Sequence, residues 1–323
     1  MKRIAVLTSG GDGPGLNPCI RAVVRSALAK GLEVMGVRRG YAGLIDCDMI
    51  DLNARSVGGI LNRGGTFLGT ARCPEFMTKQ GQREALRNLN RMSIDGLVVI
   101  GGNGSLTGAL KLHELGFPVV GIPGTIDNDV NGTDISIGVD TTLNTILDAV
   151  DKIKDTASSH QRAFLIEVMG RDSGYLALMA SIASGAELAL IPEVQTKMED
   201  VVKAVDDAYI RGKAHCIILV AEGWKPGARE LTDYLRERRE EIGFGVRLTV
   251  LGHVQRGGSP TAYERILATR LGTAAVEALL NGDYGMMVGM IQGRPGLTPL
   301  EKAVAFQKEL NLELYEIAKM MEQ

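Results

Sequence analysis

Short apolar runs alternate with helix-length amphipathic segments along most of this chain, and no other feature limits its fold as strongly. The runs fall at Ile4–Leu7, Glu33–Val37, Leu97–Ile100, Val119–Ile122, Phe164–Met169, Leu188–Ile191, Cys216–Val220 and Leu248–Leu251. Between most of them lie segments such as Asn17–Lys30, Gln80–Arg91, Thr141–Thr156, Gly174–Ser184 and Met198–Arg211. Continuous apolar runs of this length read as strands buried on both faces, so the helices between them must cover parallel sheets. With 323 residues the chain is long for one core. The expected class is therefore α/β, as two Rossmann-like domains whose parallel-rich sheets are flanked by helices. No repeat, low-complexity tract or Pro/Ser-rich linker marks the boundary, and a crossing is expected near Val139-Asp140, where a glycine-rich half gives way to an arginine-bearing half.

Composition removes several function classes. Lys and Arg total 36 against 38 Asp and Glu, a net charge of -2, so no broad basic surface offers itself to a nucleic-acid backbone. The four cysteines, Cys19, Cys47, Cys73 and Cys216, form no CxxC pair and have no His at metal spacing, which argues against a zinc site or a disulfide framework and for a reduced, cytoplasmic setting. The apolar run after Met1-Lys-Arg stops at Ser9-Gly10-Gly11, too short for a secretory h-region, and no run approaches the roughly 20 apolar residues of a membrane span. Neither nucleic acid nor membrane is an expected partner.

The loops at the ends of the strands carry the chemistry. Pro123-Gly124-Thr125-Ile126-Asp127-Asn128-Asp129 places two carboxylates two residues apart directly after a buried run, at the end of the strand where open α/β sheets bind ligands. With no nearby basic residue in sequence, such a pair calls for a cation, a hydroxyl, or both. Phosphoryl transfer needs one acid to accept a proton and another to hold Mg²⁺ against the phosphates. Gly10-Gly-Asp-Gly-Pro-Gly15 and Gly101-Gly-Asn-Gly-Ser105 are glycine turns before helices, suited to cradling phosphate, although neither spells a Walker A or dinucleotide fingerprint. Arg162, Arg171, Arg247 and Arg256, with His253, lie at or near strand ends; either they are ordinary surface residues or they surround a sugar phosphate. Arg72 follows the glycine-rich Gly64–Gly69 stretch and reads equally as surface or anion ligand. Arg21 and Arg25, one helical turn apart, read from the residues alone as a solvated stripe.

Six ordered motifs together resemble the ATP-dependent 6-phosphofructokinase family over essentially the whole chain: Leu7–Gly15, Gly101–Ser105, Pro123–Asp129, Asp155–Arg162, Met169–Arg171 and Leu251–Pro260. The resemblance implies that fold, with an ATP-binding domain of residues 1–139 and about 255–305 and a fructose 6-phosphate domain of 140–254 and about 306–323. It implies Asp127 as the base for the sugar 1-hydroxyl, helped by Thr125 and Arg171, and Asp129 with Asn103 near Mg²⁺. Gly11, Tyr41, Arg72, Cys73, Gly102, Asn103, Gly104, Ser105 and Gly108 would line the ATP site. Thr125, Asp127, Met169, Gly170, Arg171, Glu222, His253 and Arg256 would hold fructose 6-phosphate, with Arg162 and Arg247 arriving from a neighbouring subunit of a homotetramer. Arg21, Arg25, Lys154, Glu187, Arg211, Lys213 and His215 match an effector site for a nucleoside diphosphate or phosphoenolpyruvate, replacing the solvated-stripe reading.

Three departures from the family pattern stand out. Asn103 occupies a position usually held by Asp near the metal, Met77 one where many relatives place a cation near the nucleotide, and Ala54 and Gly59 replace charged residues near the effector site, with Arg55 one position late. Two rival functions follow. A pyrophosphate-dependent enzyme of this fold would carry Asp at the position of Gly104 and Lys at that of Gly124, and this chain has neither. A catalytically weak sugar-phosphate or nucleotide sensor is suggested by Asn103 and the basic cluster, against the retention of Asp127, Asp129 and Arg171.

Overall fold

In the computed structural model, which describes residues 1–321, the apolar runs become strands of two separate sheets. In chain order the strands are β1 (Arg3–Thr8), β2 (Glu33–Val37), β3 (Met49–Leu52), β4 (Gly96–Gly101), β5 (Val119–Pro123), β6 (Arg162–Val168), β7 (Leu188–Leu190), β8 (Cys216–Ala221), β9 (Gly245–Val250), β10 (Met286–Ile291) and β11 (Arg294–Pro299). The helices are α1 (Leu16–Ala29), α2 (Tyr41–Asp46), α3 (Lys79–Arg91), α4 (Asn103–Glu114), α5 (Val139–His160), α6 (Tyr175–Ser184), α7 (Met198–Ile210), α8 (Ala228–Glu237), α9 (Arg239–Ile242), α10 (Ala262–Asn281), α11 (Leu300–Ala305) and α12 (Glu313–Met321). Two compact units result: unit 1 holds residues 1–141 and 256–308, and unit 2 holds residues 142–255 and the C-terminal residues from 309.

Unit 1 carries a seven-stranded sheet in the order β11-β10-β5-β4-β1-β2-β3. Its five inner strands are parallel, and the edge strands β3 and β11 pair antiparallel with β2 and β10. Successive residues of a strand face opposite sides, and the core divides accordingly. Ile4 and Val6 of β1 pack with Ile20 and Val23 of α1 and Leu271 and Val276 of α10, while Ala5 and Leu7 pack with Leu89 of α3 and Leu106 and Leu112 of α4. The strand order reverses between β1 and β4, so the loops leaving these two strands flank the crevice where doubly wound sheets take their ligands.

Unit 2 has a four-stranded, all-parallel sheet in the order β7-β8-β6-β9. Ala163 and Leu165 of β6 join Leu231 and Leu235 of α8 in its core. The edge strand β9 starts before the apolar run Leu248–Leu251 because its side chains alternate between buried Val246 and exposed Arg247. No helix among the described residues is long and apolar enough to cross a membrane.

Candidate active site

The loops after β1, β4 and β5 meet at the reversal point of unit 1. Ser9 N donates to Ile100 O (3.0 Å), Gly124 N donates to Gly101 O (3.0 Å), and the Thr70 hydroxyl donates to Gly10 O (2.7 Å). The glycine stretch Gly101–Ser105 is not a separate loop, because it runs directly into the first turn of α4, whose N-cap is Gly102. The backbone N–H groups of Asn103 and Gly104 come before the first bonds of that turn, from Ser105 N (2.9 Å) and Leu106 N (3.0 Å) to Gly102 O, and lie at the positive end of the helix dipole, which suits them to phosphate oxygens. Gly104 is exposed and a Cβ added there would meet nothing within 4 Å. Tyr41 is buried behind the same turn: its ring stacks on Phe76 with centroids 4.0 Å apart, its hydroxyl donates to Ser105 O (2.5 Å), and it lies so close to Gly108 that a Cβ there would collide with the ring. Cys73 packs beside this cluster, and Arg72, the preceding residue, is exposed.

The carboxylate loop is tightly built. Asp127 is 5% exposed and Asp129 8%. Between them Asn128 adopts φ 51°, a left-handed conformation that its own side chain stabilises, accepting from Ser136 N (3.0 Å) and donating to Asp134 O (3.4 Å). Asp127 N donates to Thr125 Oγ1 at 3.3 Å. Asn103 Nδ2 donates to Asp129 Oδ2 (3.0 Å) and to Asp129 O (3.3 Å), and Gln307 Nε2 reaches the same carboxylate oxygen at 3.4 Å. The buried Asn103 Oδ1 has no protein partner.

That orphaned oxygen beside Asp129 is a fit test for Mg²⁺. Among the described residues no group of three or more His, Cys, Asp or Glu side chains is arranged to hold an ion. Mg²⁺ does not need one, because it commonly takes one or two carboxylates, phosphate oxygens and water. Asp129 and Asn103 Oδ1 would fit such a site as protein ligands, with phosphate oxygens and water completing it.

Arg256 belongs to unit 1, with the glycine loop. Its Nη1 lies 3.8 Å from Asp12 Oδ1, and a Cβ at Gly11 would stand 3.1 Å from it, so Gly11 leaves room for the guanidinium. The buried Nε has no partner in the protein. Asp12, a lone acid inside a glycine turn, gives no signal of this contact in the sequence.

In unit 2 the loops at the C-terminal ends of β6, β8 and β9 adjoin one another. Glu222 N donates to Val168 O (2.9 Å), and Glu222 Oε1 accepts from Arg171 N (2.8 Å) and Gly170 N (3.3 Å). These bonds hold Arg171 at φ 52°, a strained conformation for a long side chain, and the residue is exposed. Gln255, fully buried and without a sequence signal, accepts from Met169 N (3.1 Å), donates to Gly252 O (2.9 Å) and through its own carbonyl accepts from the Thr142 hydroxyl (2.9 Å). It thereby ties the turn bearing exposed His253 to the Met169–Arg171 loop. Glu167 lies on β6 nearby, and burial together with Glu222 raises its carboxyl above the ordinary range.

Arg162 and Arg247 lie elsewhere. Arg162 is the first residue of β6, Arg247 pairs with Phe164 near the start of that strand, and Arg171 follows its end. A seven-residue strand is roughly 20 Å long, beyond what one sugar phosphate spans. The expected effector residues of unit 2 share the first edge: Glu187 accepts from Lys213 Nζ (3.3 Å) and Ile217 N (2.6 Å), His215 Nδ1 and Ser158 Oγ are 2.8 Å apart, Lys154 donates to Ser184 O, and Arg211 Nε donates to Asp207 O (3.2 Å). Arg21 and Arg25 lie on α1 of unit 1, and burial and then Arg25 lower the pKa of Arg21. Met77 is 84% exposed, and Ala54, Arg55 and Gly59 are exposed as well.

The phosphofructokinase family profile matches residues 3–279. The chain is 52% identical over 322 residues to the ATP-dependent 6-phosphofructokinase of Thermotoga neapolitana, covering 99% of this chain and 100% of that one. It is 50% identical over 321 residues to that of Clostridium acetobutylicum, covering 99% of each. Among solved structures, phosphofructokinase from Saccharomyces cerevisiae superposes with a TM-score of 0.87 at 37% identity over 100% of this chain, which spans 47% of that longer one. A pyrophosphate-dependent phosphofructokinase from Marinobacter aquaeolei shares the fold with a TM-score of 0.85 at 22% identity, covering 97% of this chain and 86% of its own. The match over most of the chain, with the glycine loops and carboxylate pair at the sheet's reversal point, makes this protein a member of the phosphofructokinase family.

Proposed function

We propose that the protein transfers the γ-phosphoryl group of Mg·ATP to the 1-hydroxyl of fructose 6-phosphate, giving fructose 1,6-bisphosphate and ADP. The observation that carries the proposal is the pair of buried carboxylates at the end of β5, beside the N-terminus of α4, in a chain half identical to ATP-dependent relatives over its full length. In this reading the sugar 1-oxygen attacks the γ-phosphorus, the bond from that phosphorus to the β,γ-bridging oxygen breaks, and the hydroxyl proton passes to Asp127. Thr125 orients Asp127 through its backbone N–H. The glycine loop, the first turn of α4 and Arg72 hold the triphosphate. Asp129 and Asn103 Oδ1 would hold Mg²⁺, which would supply charge neutralisation on the phosphates. Arg171 offsets the charge developing on the transferred group, with Glu222 fixing its backbone. Glu222, Met169, Gly170 and His253 bind the sugar, and Arg256 a phosphate.

Because Arg162 and Arg247 stand at the other edge of the unit 2 sheet, they serve the sugar phosphate of a neighbouring copy in a homotetramer. The basic cluster on that same edge, with Arg21 and Arg25 of another copy, takes a nucleoside diphosphate or phosphoenolpyruvate as effector. The enzyme works in the cytoplasm. Pyrophosphate is disfavoured as donor because Gly104 and Gly124 stand where a pyrophosphate-dependent enzyme of this fold would carry Asp and Lys. A coupled assay at saturating fructose 6-phosphate tests the donor. Rates at least a hundredfold higher with ATP support the reading; a pyrophosphate rate equal to the ATP rate, or no turnover with either, overturns it.

A further inference from the structure

Glu264 is fully buried, outside the proposed site, and without a role in the chemistry above. It occupies the third position of α10, whose N-cap Thr261 accepts from Glu264 N at 3.1 Å. A glutamate there ordinarily folds back on its own helix in a capping box. This one reaches across to another helix: Oε1 accepts from Gly138 N (2.8 Å), and Oε2 from Thr141 N (3.1 Å) and the Thr141 hydroxyl (3.3 Å), all at the start of α5. Thr141 Oγ1 in turn accepts from Thr261 N (3.2 Å), and the Thr261 hydroxyl donates to Asp140. The beginnings of α5 and α10 are thus tied together through a single carboxylate.

The segment fixed by Glu264 touches both parts of the donor site. Ile137 N donates to Pro123 O (3.0 Å), Ile137 bridges to Gly124, and Ser136 N donates to the Asn128 side chain that sets the left-handed turn between Asp127 and Asp129. Gly15, the last residue of the glycine loop, comes so close that a Cβ would lie 2.6 Å from Ile137 and 2.9 Å from Glu264 Cγ.

We propose that Glu264 is a positioning residue for phosphoryl transfer, holding residues 136–141 so that the glycine loop and the Asp127–Asp129 turn keep their relative placement. Three donors converge on its two oxygens, and both carboxyl oxygens act as acceptors. An amide in its place sets an N–H against another N–H. The inference rests on the proposed site, and the effect should fall on turnover and on the nucleotide, because every loop concerned belongs to unit 1.

The test compares wild type, Glu264→Gln, Thr141→Val and Asp127→Ser at pH 8, measuring kcat, both KM values and thermal midpoint. Glu264→Gln should lower kcat about tenfold or more, the size of a lost charged hydrogen bond, with the KM for fructose 6-phosphate within about twofold. Thr141→Val, which keeps the volume and removes the bridging hydroxyl, should lower kcat about threefold with the same split, and it decides the matter if the Gln variant does not fold. A lowered thermal midpoint with kcat within twofold of wild type in the folded variants overturns the inference, as does a rise in the sugar KM as large as the fall in kcat. If Asp127→Ser retains full turnover, the site reading fails instead, which separates the two failures.

Discussion

Replacing Asn103 by Asp sets a carboxylate against Asp129 at the contact where Asn103 Nδ2 now donates over 3.0 Å. Two unit charges at that separation repel by about 5 kcal/mol at an effective dielectric of about 20, an upper bound because the pair relieves itself by sharing a proton. The donor bond to a charged acceptor is lost as well, a cost of about 1.5–3 kcal/mol. Asp129 is only 8% exposed, so solvent screens little of this. With the repulsion relieved by a shared proton the lost bond remains, and that loss of about 2 kcal/mol should lower the thermal midpoint in EDTA by roughly 4–8 °C for a domain of this size. Mg²⁺ reverses the balance, because two carboxylates then face a divalent ion. Asn103→Asp should therefore gain more thermal stability from Mg²⁺ than wild type, half-saturate at lower free Mg²⁺ in initial-rate titrations at fixed ATP, and depend on the metal more strictly. The measurements are differential scanning fluorimetry with and without Mg²⁺ and the rate titration. Identical Mg²⁺ half-saturation and identical Mg²⁺-induced shifts in both proteins would place position 103 outside the metal site and refute the reasoning.

Asp127→Ser should lower kcat by about 10²–10⁴ with the fructose 6-phosphate KM within about tenfold, as removal of a general base predicts; steady-state kinetics showing less than a fivefold loss would remove Asp127 from the mechanism. Arg247→Ala should raise the fructose 6-phosphate KM roughly tenfold or more and leave that for ATP nearly unchanged, and mixing it with Asp127→Ser should restore part of the activity through hybrid assemblies; equal effects on both substrates would count against the assignment. Arg21→Ala or Arg25→Ala should abolish the response to a nucleoside diphosphate while sparing activity at saturating substrate, and an effector titration in which the variants still respond, or in which wild type does not respond at all, would contradict the basic cluster's role. Burial, with Asp140 adding to it against the opposing bonds from Gly138 and Thr141, raises Glu264 from 4.5 to about 7. Its ionisation therefore costs the fold stability as pH rises from about 4.5 to 7, up to about 3 kcal/mol. Urea midpoints of wild type should fall relative to Glu264→Gln between pH 5 and 7.5, and parallel curves would show that Glu264 does not titrate there.

Most inner strands are legible in the sequence as apolar runs between two helical layers, as in Leu97–Ile100 and Cys216–Val220, and so are the unit 2 edges at Leu188–Ile191 and Leu248–Leu251, whereas the inner strand β10 (Met286–Ile291) is missing from those runs. The edges of the unit 1 sheet are not legible. β3 (Met49–Leu52) and β11 (Arg294–Pro299) carry exposed polar positions and lack that run, so only pairing with β2 and β10 defines them. Asn103, Gly104 and Ser105 read as loop because of their glycines, yet they open α4: first-turn backbone need not favour helix when the rest of the segment does. The carboxylate pair and both glycine loops are visible as local patterns. Gln255 and Glu264 are not, since each acts over long sequence separation, Gln255 on Met169 and Glu264 on Gly138. Thr261-x-x-Glu264 does spell a local capping box, and nothing in the pattern tells that its glutamate turns away to α5. The separation of Arg162 and Arg247 from Arg171 likewise needs the sheet, because proximity to a strand does not say which end.

The most direct test of the proposed chemistry is ³¹P NMR of the reaction of this protein with fructose 6-phosphate, Mg²⁺ and ATP. Formation of ADP and of a second sugar phosphate at C1, in a one-to-one ratio and dependent on both substrates, is the predicted result. ATP hydrolysis to free phosphate without a new sugar phosphate, or phosphorylation that proceeds only from pyrophosphate, would contradict it.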